Sequence, residues 1–133
     1  MALLIGALLA FSVGLLGRGL GLDRDRAFYP VVTIVVASYY ALFAVMGAAT
    51  HVLLLELLLG LIFLIAAAWG FRSSLWIVVT ALVAHGIFDL TRGAFVANPG
   101  VPVWWPEFCL SYDVTAGAYL AWLLGSGRIR AGI

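Results

Sequence analysis

Lysine is absent from this chain of 133 residues, and all seven basic residues are arginine. Charged residues of either sign make up only 10%, against about 25% in a soluble domain. That leaves too little polar surface to cover a water-soluble globule. The net charge of +1 offers no broad basic face, which excludes a nucleic-acid binder. A single cysteine, Cys109, excludes an internal disulfide. No glycine-rich phosphate loop, Ser-His-Asp order, internal repeat or low-complexity tract is legible.

What the chain has in quantity is apolar residues, 65% of the total. Lipid is then the solvent for most of the surface. A spanning helix needs about 20 mostly apolar residues, and five segments qualify. They run from Ala2 to Gly17 (extending towards Leu22), Phe28 to Gly47, Val52 to Phe71, Leu75 to Ala97 and Pro106 to Gly125. Pro30 sits where a helix start tolerates proline, and Ser73 and Ser74 are good N-caps for the fourth segment. Asn98-Pro99-Gly100 ends that segment. Only Ala48 to His51 separates the second segment from the third. Read as one helix the pair would be about 60 Å long, twice the bilayer core, so it must fold back as a hairpin. The opening MALLIGALLAFSVGLLG has no basic leader and no small-x-small cleavage site, so a retained first membrane helix is expected.

The expectation is therefore one all-α domain over residues 1–133, an integral membrane bundle of five transmembrane helices. Arg18, Arg24 and Arg26 follow the first segment, Arg72 the third, and Arg128 and Arg130 the fifth. Five crossings bring all six to one side. The positive-inside rule makes that side cytoplasmic, with the N-terminus outside and the C-terminus inside. Trp69, Trp76 and Trp122 fall at the cytoplasmic ends and Trp104 and Trp105 at the outer boundary, as aromatic belts do. The location is the cell membrane, as a multi-pass protein.

The remaining ionisable residues share the outer half. His85 is near mid-membrane; Asp89 and Arg92 lie about 4–5 Å and about 9 Å beyond the segment's centre at Gly86. Their spacing of i, i+4 and i+7 puts them on one narrow helical stripe. Glu56 enters one to two turns below the outer boundary, Asp113 about 10 Å below it, and Cys109 lies one turn from Asp113. An ionised side chain at mid-bilayer costs about 2.5–3.5 kcal/mol or more, so these groups should face one another across an interior cavity. The bland alternative is a structural ion pair of Arg92 with Asp89 or Asp113. It leaves a surplus, because three acids stand against one fixed cation. One of them must be protonated, paired with histidine or bound to a metal. A metal on His85, Asp89, Glu56 and Asp113 is chemically allowed, but no familiar ligand spacing supports it, so no metal and no cofactor is expected. Cys109 reads as a small buried apolar residue. His51 lies in the hairpin turn, where a polar residue needs no further reason.

The motifs H-G-I-F-D (His85 to Asp89), P-G-V-P-V-W-W-P (Pro99 to Pro106) and C-L-S-Y-D (Cys109 to Asp113) resemble those of small uncharacterised bacterial integral membrane proteins. Those carry an H-G-x-x-D helix, a proline-rich outer loop and a C-x-x-x-D helix. The resemblance covers Val83 to Trp122, and this chain has Arg92 and Gly93 where those proteins often have histidines. It implies a site but no activity. At the level of architecture alone, the expected bundle is similar to integral-membrane sterol isomerases and terpene cyclases.

The functional expectation is a membrane-embedded enzyme acting on a lipophilic, isoprenoid- or lipid-like molecule by acid–base chemistry. Asp89 and Asp113 would be the acid–base pair, His85 a proton relay, and Arg92 a stabiliser of negative charge, with Glu56 completing the wall. Tyr39, Tyr40, Tyr112, Trp105 and His51 would contact substrate. The runner-up is a proton-linked transporter or channel subunit, disfavoured because the cytoplasmic half has almost no polar path. A structural or accessory subunit is the third reading. Self-association is left open.

Overall fold

The computed structural model describes residues 1–133. Five helices account for most of the chain: α1 (Ala2–Leu20), α2 (Phe28–Gly47), α3 (Thr50–Arg72), α4 (Leu75–Thr91) and α5 (Trp105–Gly125). A 3-10 turn, Arg92–Ala94, extends α4. There is no strand beyond one isolated bridge, Ser74 to Gly132. α1, α2, α3 and α4 with its 3-10 turn are long and apolar enough to cross a membrane. α5 is long enough at 21 residues but is diluted by Pro106, Glu107, Ser111, Asp113 and Thr115. It packs along both α1 and α4 over their length, and so shares the slab they occupy.

Local rules explain the helix ends. Gly21 takes the left-handed conformation that a side chain would resist (φ 75°), and Leu22 N–H returns 2.8 Å to the Gly17 carbonyl, closing α1. Only Ala48 and Ala49 separate α2 from α3, which confirms the tight hairpin. Ser74 caps α4, its hydroxyl accepting from Trp76 N–H. The sequence reading carried this fourth helix to Ala97. The α-helix in fact stops at Thr91 and tightens to 3-10 geometry through Gly93, a poor helix former.

The order in space differs from the order in sequence. α1 lies against α5 and parallel to it, Gly6 meeting Phe108 and Ser111 while Gly14 meets Tyr119. The small buried residues Gly6, Ala10, Gly14 and Gly17 make that approach close. α4 runs antiparallel to α5, with Gly86 against Leu110 and Asp113 and Gly117 against Val83. α2 and α3 form the other layer and reach the site through Tyr40 and Glu56. The outer faces stay apolar: Leu8, Leu54, Leu58 and Ile62 are each more than half exposed, as a lipid-facing surface requires.

The six terminal arginines gather at one end. There the Arg26 guanidinium donates to the carbonyls of Gly70 and Phe71 at the end of α3 and to those of Arg130, Ala131 and Gly132 in the tail. The core beside this end is apolar, built from Leu75, Val78, Leu82, Leu120 and Leu123. Asp23 and Thr33 are buried on this side, while the opposite end holds the buried Glu56, His85, Asp89, Arg92 and Asp113.

Candidate functional site

Two polar groups adjoin at that end. The first is an ion pair. Arg92 leaves the end of α4 and donates to a Glu56 carboxylate oxygen on α3. The other Glu56 oxygen accepts from Asn98 Nδ2 at 3.0 Å, and Asn98 also donates to the Tyr40 carbonyl at 3.1 Å. The guanidinium carbon lies 3.3 Å above the centre of the Tyr40 ring, a cation–π contact. The structural alternative that the sequence offers joins Arg92 to Asp89 or Asp113, and the ion pair is with neither. α3 runs antiparallel to α4 and brings Glu56 to the level of Arg92, while Asp89 on α4 and Asp113 on α5 both lie beside His85.

The second group lies between α4 and α5. His85 Nδ1 is 2.6 Å from Asp113 Oδ2 and 3.5 Å from Asp89 Oδ2. At 2.6 Å one proton is shared: either Nδ1–H donates to a carboxylate, or a carboxyl O–H donates to the ring. Phe63 meets His85 edge-on at 4.6 Å between ring centres and holds the ring from its other side. Asp89 faces the Cys109 thiol and the Tyr40 hydroxyl, but neither closes a hydrogen bond of good geometry. Both Asp89 oxygens, Asp113 Oδ1 and the Tyr40 hydroxyl are left without partners. His85, Asp89, Cys109 and Asp113 are all at most 2% exposed, so solvent does not satisfy them. One ligand atom from each of these four residues lies within 4.8 Å of the others. The donor set of a metal centre is thereby assembled from parts whose spacing matched no ligand motif.

Close helix packing makes this possible. A Cβ added at Gly86 would lie 3.1 Å from the Asp113 Cβ and from the Leu110 carbonyl. Glycine there lets α4 and α5 approach at the level where His85 and Asp89 must meet Cys109 and Asp113.

The ligand-sized space lies elsewhere than expected. Sequence reasoning placed these residues around an interior cavity. The polar groups are instead packed closely, with a void of about 10 Å³ beside Tyr40, Glu56, Phe63, His85 and Arg92, room for about one water. A larger space, about 340 Å³, is a groove between α1, α2 and α5, lined by apolar and aromatic side chains; it is one of several ligand-sized depressions, of which one of about 250 Å³ between α2 and α3 reaches Glu56. Tyr39, Tyr112 and Trp105 border the α1/α2/α5 groove, alongside Leu9, Val32 and Phe108. Cys109 belongs to the wall of this groove and to the polar group behind it.

The sequence-level candidates thus divide. His85, Asp89 and Asp113 meet directly, and Arg92 and Glu56 form the adjoining pair. Tyr39, Tyr112 and Trp105 line the groove, Trp105 being buried rather than spread on a boundary belt. Tyr40 does not reach the groove; it is 2% exposed and lies between Arg92 and His85. His51 is exposed at the start of α3, on a separate shallow depression with Asn98 and Pro99. Two participants were not foreseen. Cys109 was read as filler although its one-turn spacing from Asp113 was visible. Asn98 was read as a helix stop, and nothing local marks a residue whose partners are 42 and 58 positions away. Compared with family models, curated proteins and solved structures, the chain matches none.

Proposed function

We propose that this chain is a membrane-embedded enzyme that binds a lipophilic small molecule in the α1/α2/α5 groove and acts on it by proton transfer. The observation that carries the reading is the double position of Cys109, in the wall of an apolar groove and in contact with a buried proton-sharing centre. An isoprenoid- or lipid-like molecule entering from the bilayer would be held by Tyr39, Trp105, Phe108 and Tyr112. Its reacting carbon or oxygen would meet polar chemistry only past Cys109, where Asp89 offers two unpartnered oxygens and His85 with Asp113 a shared proton. The Arg92–Glu56 pair is electrically neutral by itself and contributes a fixed positive end beside Tyr40. In the cell membrane the arginine-rich end faces the cytoplasm, which puts this centre in the outer half.

A proton-linked transporter needs polar groups through the whole depth of the bundle. The other half is packed with Val78, Leu82, Leu120 and Leu123; Thr33 there spends its hydroxyl on the Tyr29 carbonyl, and its buried acid, Asp23, lies at the arginine-rich edge beside Arg18. This favours the enzyme.

The test is substrate discovery with matched variants. Protein in nanodiscs is incubated with a membrane lipid extract, and consumed and formed species are followed by mass spectrometry. Wild type is expected to convert one lipophilic species, and folded Asp113→Asn to lose at least about a hundredfold in rate. Full turnover by folded Asp89→Asn and Asp113→Asn alike would remove the assignment. Proton flux in proteoliposomes, abolished by Asp89→Asn, would favour the transporter instead.

A further inference from the structure

The unsatisfied oxygens between α4 and α5 require an account, since a buried polar atom without a partner costs about 1–3 kcal/mol. Asp89 is 1% exposed with neither oxygen bonded, and Asp113 is fully buried with Oδ1 unbonded. One ligand atom of each aspartate lies within 4.8 Å of the other's and of one atom each from His85 and Cys109. The two helices contribute in the same pattern. His85 and Asp89 are one turn apart on α4, and Cys109 and Asp113 one turn apart on α5. Each pair therefore lies on one face of its helix, and the faces oppose at the close Gly86 contact.

We infer that His85, Asp89, Cys109 and Asp113 form a binding site for a divalent transition-metal cation of the zinc type. Zinc ligands lie about 2.0–2.3 Å from the ion, so in a tetrahedral shell they stand about 3.3–3.8 Å apart. The donor atoms here span from 2.6 Å to 4.8 Å, and side-chain shifts of about an ångström close them on an ion. Charge favours the same ion class. Glu56 cancels Arg92, which leaves the two aspartates as the surplus in the membrane interior. A divalent cation offsets both aspartates and lowers the cost of ionising the Cys109 thiol beside them; with the thiol proton and the proton shared by His85 and Asp113 released, the four-donor centre carries one net negative charge. Imidazole, thiol and carboxylate together suit zinc or cobalt. Magnesium and calcium require six or more oxygen ligands, which this dry centre does not supply. Four protein donors fill a tetrahedral shell, the closed arrangement of structural sites. The cation thus clamps α4 to α5 and competes with the proton that His85 shares with Asp113. The site stands on its own donor geometry; the metal-loaded and proton-sharing forms are alternative states of one centre, and proton transfer belongs to the metal-free form.

The full chain, purified in detergent and stripped with a chelator, is loaded with Zn²⁺ or Co²⁺, freed of excess by gel filtration and assayed for metal by elemental mass spectrometry. About one equivalent per chain is expected, with a rise in unfolding temperature. The Co²⁺ form is expected to show tetrahedral d–d bands and a near-ultraviolet thiolate-to-cobalt band. Cys109→Ser removes that charge-transfer band, Asp89→Asn weakens binding at least about tenfold, and Glu107→Gln, an exposed carboxylate on α5, changes neither. Wild type that retains less than about a tenth of an equivalent overturns the site. So does a cobalt spectrum without the thiolate band, which needs no variant to fold. Equal affinity in Asp89→Asn and wild type also overturns it, leaving only adventitious binding. None of these readouts uses a substrate, so the lipid-conversion experiment is decided separately.

Discussion

Arginine does different work at the two ends of this bundle. At the end that carries six of them, the guanidinium groups lie at or near the surface and finish other structures. Arg26 joins the last carbonyls of α3 to the C-terminal tail, Arg18 lies 3.5 Å from Asp23, and Arg128 covers the Trp122 ring at 4.2 Å. Between them the core is dry and apolar. At the other end the one remaining arginine, Arg92, is 5% exposed and paired with a carboxylate that is 2% exposed. At the first end Arg24, Arg72 and Arg130 would cost little to lose, and Arg18 more, because Asp23 beside it is 2% exposed; a cation that is itself buried cannot be lost without stranding its partner. The number of charges at an end thus says less about its chemistry than whether water or lipid headgroups can reach them.

The largest expected effect comes from breaking the buried pair on one side only. Arg92→Met is expected to destabilise the protein by about 3–5 kcal/mol, because it leaves Glu56 buried and unpaired. The double variant Arg92→Met with Glu56→Met should recover most of that loss, since apolar replacements of a whole buried pair are often neutral. Denaturant unfolding in detergent measures both; a double variant no more stable than the single one would mean that the pair is not the source of the cost. Next is the helix contact beside the site. Gly6→Ala places a Cβ against the Phe108 carbonyl and Ser111 hydroxyl, forcing α1 off α5, at about 1–3 kcal/mol. Tryptophan fluorescence from Trp104 and Trp105 should shift with it.

At the arginine-rich end the effects are smaller. Arg26→Ala removes donors to five carbonyls, yet these groups are partly open to water, so about 1–2 kcal/mol is expected. Faster hydrogen exchange confined to the α3 end and residues 130–132 would check it. A loss as large as that of Arg92→Met would erase the distinction between the two ends. Smallest of all, Gly19→Ala meets nothing within 4 Å and should gain up to about 1 kcal/mol from helix propensity, read as a small rise in unfolding temperature.

Much of this was readable from residue order. Runs of apolar residues of spanning length located five helices, and the arginine and tryptophan positions matched helix ends. The i, i+4, i+7 spacing of His85, Asp89 and Arg92 isolated the residues that are buried together. Other features were not readable. Arg92 keeps helical backbone angles at the end of α4, but its partner Glu56 is 36 residues away on α3. The parallel packing of α1 on α5 had no sequence marker beyond the small residues Gly6, Ala10, Gly14 and Gly17.

By itself, then, the sequence determined the apolar character of the surface, the number of helices and the position of each polar residue along its helix. Those are properties of one segment at a time, set by hydropathy and a fixed rise per residue. Tertiary structure alone decided who meets whom: Glu56 with Arg92, Asp113 with His85, and Cys109 between the groove and the polar centre. Helices this apolar on nearly every side carry little pattern to state which face turns inward. Their rotation and neighbour order follow from close packing at small residues such as Gly6 and Gly86, and from the need to give each buried polar group a partner.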